Sequence, residues 1–332
     1  MVRAVAHIKY QADAWRVNER LGFPLSGAGE HAYYYIEKEN LNSLDIARAL
    51  ARASGVAVYE VGYAGLKDKH AVTRQWFSVP TRTDDWPLES PVSDDVWSAG
   101  GRLSCLRTGR HSHKLRRGQH AANEFIIRIR LDDPVDQVPN LSDWFPNYFG
   151  PQRVSESNLK SAREWLMARA GQTSTDTHSQ RRGKGRRGRA RPAREGWHLS
   201  VLRSEIFNSV LSLRQELGNF AIPIEGDALD DGIPTGPLWG RGRSAAGALA
   251  ETIEGQALAK HRTICDALEF TGVQQSRRRL AQRPMDFEQR YIERGGTDEA
   301  EWEVSFTLPP GAYATTLLAH HYTVCDDSQR YA

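Results

Sequence analysis

Three stretches with the alternation of β-strands lie at the two ends of this chain, and the sequence between them has helical character. Glu124 to Leu131 puts Phe125, Ile127, Ile129 and Leu131 on one side and Arg128 and Arg130 on the other, the pattern of a half-buried strand. Thr73 to Val79 alternates in the same way, and so, far downstream, does Glu301 to Leu308. In between, Leu159, Ala162 and Leu166 have helical spacing. Leu199, Leu202, Ile206, Val210, Leu213 and Leu217 keep one seam over about five helical turns. A sheet begun early and resumed late predicts a domain completed by the last segment, with a second domain inserted after a boundary near residue 153. A length of 332 residues fits two cores better than one.

Shorter signals fill in the outline. Leu44, Ala47, Leu50 and Ala51 share a helical face, with Asn42 or Ser43 as the cap and Gly55 as the stop. Pro146 to Gln152 reads as an irregular joint, and Gly232 to Gly240, rich in glycine and proline, reads as loop. Helix is expected from about Ala245 to Phe270, broken near Gly255, and a turn at Pro309-Pro310-Gly311 leads into Tyr313 to Leu318. There is no internal repeat.

Composition excludes several classes. Hydrophobic content of 39% with 26% charged residues is that of a globular chain, and no apolar run reaches membrane-spanning length. The opening Met1 to His7 does not resemble a signal peptide, so a cytoplasmic address is expected. Cys105, Cys265 and Cys325 are odd in number and far apart, which predicts reduced thiols. Paired histidines at His111 and His113 and at His320 and His321 lack a third ligand at a recognisable spacing, so no metal centre is expected. Glycine-rich phosphate loops and Gly-x-Ser-x-Gly elbows are missing from the contexts that would give them meaning.

The net charge of +3 hides a strong local asymmetry. Arg181, Arg182, Lys184, Arg186, Arg187, Arg189, Arg191 and Arg194 follow one another without an intervening acid. Such a segment, 181–194, cannot pack a core and is expected to be a mobile arm whose natural partner is phosphate. A second basic set, His111, His113, Lys114, Arg116, Arg117 and His120, precedes the strand at Glu124.

One carboxylate stands out against this background. Asp68 lies between Lys67 and Lys69, with His70 next and Arg74 beyond. Its cationic neighbours favour the ionised form, which suits a nucleophile or a base. On spacing alone the same residues also read as a solvated turn of surface ion pairs.

The segment Gly65-Leu66-Lys67-Asp68-Lys69-His70-Ala71-Val72-Thr73-Arg74-Gln75-Trp76 resembles the signature of the TruD family of pseudouridine synthases, which act on uridine 13 of tRNA. Further similar segments follow in family order along the chain: Lys9 with Arg16-Val17-Asn18-Glu19, Lys114 to Gly118 with Asn123-Glu124-Phe125, Pro146 to Arg153, Ser204 to Asn208, Gly236 to Gly240, and Leu308 to Thr315. At Asp13-Ala14-Trp15 the chain departs from the family's acidic pair followed by phenylalanine, and at Tyr313 it has tyrosine where phenylalanine is usual.

The resemblance implies an α+β fold, with a mixed, mostly antiparallel pseudouridine-synthase sheet in residues 1–152 and 304–332 and a mainly helical insertion domain in 153–303 that carries the arm. It implies that Asp68 is the catalytic aspartate, attacking the ribose or removing its 2′ proton, after which uracil rotates and rejoins through carbon 5. Substrate contacts are expected from Lys9, Asn123, Phe125, Tyr313, Lys67, Lys69 and His70, and RNA contacts from Arg116, Arg117, Arg181, Arg182, Arg186 and Arg187. Phe125 is the candidate to hold a flipped base, and it also continues the apolar face of Ile127 and Ile129. An isomerisation of this kind needs no cofactor, and a monomer acting on tRNA is expected. The competing expectation is a non-catalytic RNA-binding or RNA-folding protein on the same scaffold.

Overall fold

A computed structural model describes residues 3–81, 85, 87, 101–132, 140–175, 193–292 and 300–328. In chain order the elements are β1 (Val5–Ile8), β2 (Trp15–Leu21), β3 (His31–Glu39), α1 (Ser43–Ala53), β4 (Gly62–Tyr63), β5 (Val72–Pro80), β6 (Arg102–His111), β7 (His120–Leu131) and β8 (Phe145–Pro146). Next come α2 (Glu156–Thr175), α3 (Ala193–Glu216), β9 (Leu229–Asp230), β10 (Ile233–Leu238), α4 (Ala248–Leu258), α5 (Arg262–Phe270), β11 (Ser276–Arg279) and β12 (Ala281–Gln282). The chain closes with β13 (Met285–Ile292), β14 (Ala300–Leu308), α6 (Ala314–His321) and β15 (Thr323–Asp326).

The chain divides into two compact units, one of Met1–Asp143, Pro284–Ala314 and His321–Ala332, the other of Trp144–Arg283 and Thr315–His320. The first unit is built on a sheet of order β13-β14-β7-β2-β5-β3-β6, with β1 joined to β7 and β15, and β4 to β5. Most pairs are antiparallel; β2 runs parallel to β5, and β1 parallel to β15. β13 already belongs to this sheet, so the return to the first unit falls at Pro284, ahead of residue 304. The half-buried strand expected at Glu124 is β7, with Phe125, Ile127, Ile129 and Leu131 all buried.

α1 covers one face of the sheet. Ile46, Ala47 and Leu50 pack on Ala32, Tyr34 and Ile36 of β3 and on Phe77 and Val79 of β5. Asn42 occupies the cap position without a side-chain cap bond. The Ser43 hydroxyl is used elsewhere, as described below. At the chain's ends His7 lies between two carboxylates, its Nδ1 3.0 Å from Asp327 and its Nε2 2.9 Å from Asp132, which ties β1 to the segment after β15.

The second unit has a helical core. Leu199, Leu202, Ile206 and Val210 of α3 pack with Ala162 and Leu166 of α2 and Ile264 and Leu268 of α5. The α3 seam ends sooner than its sequence suggests, because Leu217 lies beyond the helix and is 52% exposed. Two further expectations are corrected here. Gly255 sits within α4, and the interruption comes instead at a 3-10 turn, Ala259–His261. The segment expected to be loop, Gly232 to Gly240, contains β10, the middle strand between β11 and β9. Its prolines disguise it, but a Cβ on Gly236 would stand 2.7 Å from Leu280 and 3.2 Å from Phe207. Glycine there lets the strand lie directly on α3. The described part of the arm is Ala193 and Arg194, at the start of α3; Arg181, Arg182, Arg186 and Arg187 lie outside the described residues.

Candidate active site

The parallel pair β2 and β5 decides where the site forms. Its register, Arg16 with Val72 and Asn18 with Arg74, brings the start of β2 beside the start of β5, and Glu39 at the end of β3 pairs with Val72. The turn Gly65 to His70 therefore leads into β5 at a sheet end where β2 begins and β3 finishes.

Several polar groups along that turn are held by other elements. Gln75 Nε2 donates to the Gly65 carbonyl at 3.2 Å, and Ser43 Oγ accepts the Lys67 N–H at 3.1 Å while donating to Gln75 Oε1 at 2.6 Å. Lys67 Nζ donates to Glu19 Oε2 at 2.6 Å, and Glu19 Oε1 also accepts the Trp76 N–H at 3.1 Å. Glu19 is 2% exposed. Lys38, fully buried, donates to the backbone carbonyl of Asp68 at 2.6 Å.

The Asp68 carboxylate itself is 34% exposed and is gripped from behind. Trp15 Nε1 donates to Oδ2 at 3.2 Å, and Lys9 Nζ lies 3.4 Å from Oδ1. Lys9 is 5% exposed, stands 3.6 Å from Asp326 Oδ2 and sits 4.6 Å above the Trp15 ring. Its φ of 56° is left-handed, a conformation that costs a non-glycine residue about 1 kcal/mol or more and is retained where neighbours dictate it. Trp15 meets Phe125 edge-on at 6.4 Å, and Phe125 stacks on Phe306 at 5.4 Å.

Of the residues expected at the site, Lys9 and Asp68 are thus brought into contact. Phe125 lies one ring away through Trp15 and is 7% exposed. Asn123 is opposite Glu19 in register, so the two share a face of the sheet, and its buried Oδ1 has no hydrogen-bond partner among the described residues. Lys69 is exposed, and His70 and Tyr313 are half-buried. Lys67 departs from its expected role as a substrate contact: with its side chain 6% exposed it is committed to Glu19. Arg116 and Arg117 are exposed on the loop before β7, and the Arg117 guanidinium lies 5.7 Å from the Tyr63 ring.

Sequence reasoning missed Lys38, Glu19 and Asp326, and the Trp15 hydrogen bond with them. A signal existed for the first two. Along β3, Ala32, Tyr34, Ile36 and Lys38 are buried on one face, with Tyr33 buried on the other, and along β2 Trp15, Val17 and Glu19 are buried, so each charge continues an inward face at a spacing of two residues. Burial lowers the Lys38 ammonium from 10.5 to about 8, only partly offset by the Asp68 charge, with Lys67 pushing the same way as burial.

The chain also has close counterparts in sequence. The tRNA pseudouridine synthase D (TruD) family matches residues 3–167. A protein from Cellvibrio japonicus named tRNA pseudouridine synthase D is 36% identical over 96% of this chain and 89% of its own length. A Chromohalobacter salexigens protein of the same name is 35% identical over 91% of this chain and 88% of its own. A solved structure from Methanosarcina mazei, described as TruD, is 18% identical and superposes with a TM-score of 0.64 over 99% of this chain and 95% of that one, so the fold is shared. An aspartate in a clamped turn at the end of a mixed sheet, in a chain so similar to these proteins, defines its class. The chain belongs to the TruD family of tRNA pseudouridine synthases.

The Lys38 shift carries a sign that can be tested. A lysine whose folded value is lowered binds fewer protons in the fold than in the unfolded chain between pH 8 and 10.5, so its burial penalty is relieved as pH rises through that window. Relative to Lys38→Met, the natural chain is expected to gain roughly 2 kcal/mol of unfolding free energy between pH 7 and pH 10. Urea unfolding of both proteins at the two pH values checks this, and a difference independent of pH would show that burial does not lower the Lys38 ammonium.

Proposed function

We propose that this chain isomerises uridine to pseudouridine in tRNA, with position 13 as the expected target and Asp68 as the catalytic group. The observation that carries the reading is the Asp68 carboxylate, open to solvent on one side and held on the other by Lys9 and Trp15. A carboxylate fixed by two donors is already oriented for attack on C1′ of a ribose or for removal of its 2′ proton, and fixed orientation supplies much of the advantage of an enzymic site.

Either route breaks the bond between C1′ and N1. The uracil then turns and C5 bonds to C1′, displacing the Asp68 carboxylate in the first route or with the 2′ proton returned to C2′ in the second; the C5 proton leaves and N1 takes up a proton, so the reaction is balanced without oxidant or co-reactant. The target uridine must leave its stack before a carboxylate can reach the sugar. Phe125 and Tyr313 are the rings proposed to receive the base, and Asn123, with its unpartnered Oδ1, is proposed to read the imide N–H of the uracil. Lys9 balances the charge of Asp68 in either route. Lys69 and His70, on the outer side of the turn, are proposed to meet the sugar-phosphate beside it.

Within this reading the first unit is the catalytic domain and the second the insertion domain, and the chain acts as a monomer where tRNA is found in the cytoplasm. No helix among the described residues is long and apolar enough to cross a membrane. The basic segment 181–194 adds phosphate contacts.

Three outcomes are expected. Asp68→Asn keeps its affinity for unmodified tRNA and forms no pseudouridine in a single-turnover assay, and turnover near that of the natural chain would remove Asp68 from the chemistry. Trp15→Phe keeps the ring and loses the donor to Oδ2, which lowers the rate at saturating tRNA by about 10-fold, the worth of a hydrogen bond to a charged group; a rate unchanged within twofold would make that contact incidental. Deletion of 181–192 weakens tRNA binding and flattens its dependence on salt, and an unchanged slope would make the arm irrelevant to RNA.

A further inference from the structure

A second surface of the first unit has the chemistry of a nucleotide site, and it lies apart from the Asp68 carboxylate. The 3-10 turn Val58–Glu60, β4 and the loop Lys114 to Arg117 enclose a cleft of about 670 Å³, within the size range of pockets that hold small ligands. Tyr59 stands at its mouth with 81% of its surface exposed. Tyr63, Val61 and Leu115 form apolar wall, and Lys114, Arg116 and Arg117 add three cations.

The cleft is held in shape by its surroundings. A Cβ on Gly62 would collide with the Leu115 carbonyl oxygen and with Ser78 Oγ, each 2.4 Å away, so glycine allows the basic loop to rest on β4 itself. Ser78 Oγ accepts the Leu115 N–H at 2.9 Å, the Ala64 carbonyl accepts the Gly118 N–H at 2.8 Å, and Tyr33 Oη donates to the His113 carbonyl at 2.8 Å. Lys114 Nζ donates to the Tyr59 carbonyl, which couples the ammonium to the turn that presents the ring. Glu60, the acid whose charge Lys114 feels, bonds its carboxylate to the Ala57 N–H at 2.8 Å. Arg116 and Arg117 have no carboxylate partner among the described residues.

We propose that this cleft is a subsite for an unstacked nucleotide of the RNA substrate, its base stacked on Tyr59 and its phosphates met by Arg116, Arg117 and Lys114. An exposed ring beside cations is the standard platform for single-stranded nucleic acid, since every base offers a π face and every linkage a charge. The floor of the cleft runs directly into the catalytic turn: Ala64, which anchors the basic loop, is four residues before Asp68, so at most roughly 14 Å of chain separates them. A nucleotide held here belongs to the same RNA segment as the target uridine. The subsite rests on the proposed function for its ligand, and it adds a contact that neither Asp68 nor the arm supplies.

The test uses the full chain carrying Asp68→Asn, so that binding is read without turnover, and an unmodified tRNA transcript as ligand. Adding Tyr59→Ala is expected to weaken binding about 30-fold, the middle of the range for one base stacked on one ring, while the slope of log K against log salt stays unchanged. Adding Arg116→Ala with Arg117→Ala should instead lower that slope by about 1.4, two phosphate contacts on a single strand. Hexauridylate should compete with tRNA on the parent and lose that ability with Tyr59→Ala. Parental affinity in the Tyr59→Ala protein, with an unshifted thermal melt, overturns the subsite, and so does a change of slope by the arginines without any effect of Tyr59. Pseudouridine formation by the chain with Asp68 intact is scored separately, so a failure of the subsite and a failure of the proposed function give different results.

Discussion

Glu19 is the side chain on which the arrangement around Asp68 depends. It lies on β2 just past the end of the parallel ladder with β5, and its carboxylate continues that ladder by taking the N–H of Trp76 with one oxygen and the ammonium of Lys67 with the other. One buried acid thereby fixes two strands and the turn between β4 and β5. A buried pair of this kind gains little over apolar residues of the same shape, but loss of one partner leaves an uncompensated charge and costs several kcal/mol. Its value to the protein lies in position: Lys67 is drawn inward, and the residue after it is left facing solvent with its carboxylate presented.

The charge around Asp68 is supplied by strands more than by its sequence neighbours. Lys67 is spent on Glu19 and Lys69 is exposed, while Lys9 and Lys38 arrive from the ends of β1 and β3. They act differently. Lys9 meets the carboxylate and is shared with Asp326, whereas Lys38 meets the backbone of the same residue and holds the turn without competing for the carboxylate oxygens. A buried ammonium is costly, and a left-handed lysine adds strain at Lys9. Such costs are tolerated where they prevent a loop from relaxing, and here they hold the Asp68 turn in one arrangement.

Much of this was legible in the sequence. The two-residue periods of β5, β7 and β14 and the three- to four-residue seams of α1, α2 and α3 stand out because each buries one face against one layer, and periodicity reports that condition directly. β10 was hidden since its prolines and glycine, read locally, signal a loop, and only the close approach of Gly236 to Phe207 explains them. At the site, Asp68 and Lys9 were visible through their sequence contexts. Lys38 was not, because Glu37-Lys38-Glu39 looks like a solvated face; its burial follows from the alternation it shares with Ala32, Tyr34 and Ile36. Trp15 was noticed as a departure and its consequence was missed: an indole can donate to Asp68 where a phenyl ring cannot.

The discontinuity of the first unit has a mechanistic side. Lys9 follows β1, the strand at the start of the chain, and its second carboxylate, Asp326, ends β15, which pairs with β1 in parallel, Ile8 opposite Asp326. Parallel neighbours require a long connection, and here the connection is nearly the whole molecule. Asp326 and Asp327 cap the same strand pair, one reaching Lys9 and the other His7, so the ammonium that faces Asp68 is seated only when the last strand has docked. Placement of Lys9 is thereby tied to completion of the sheet, because without the final strand the lysine lacks the carboxylate that holds it on its far side.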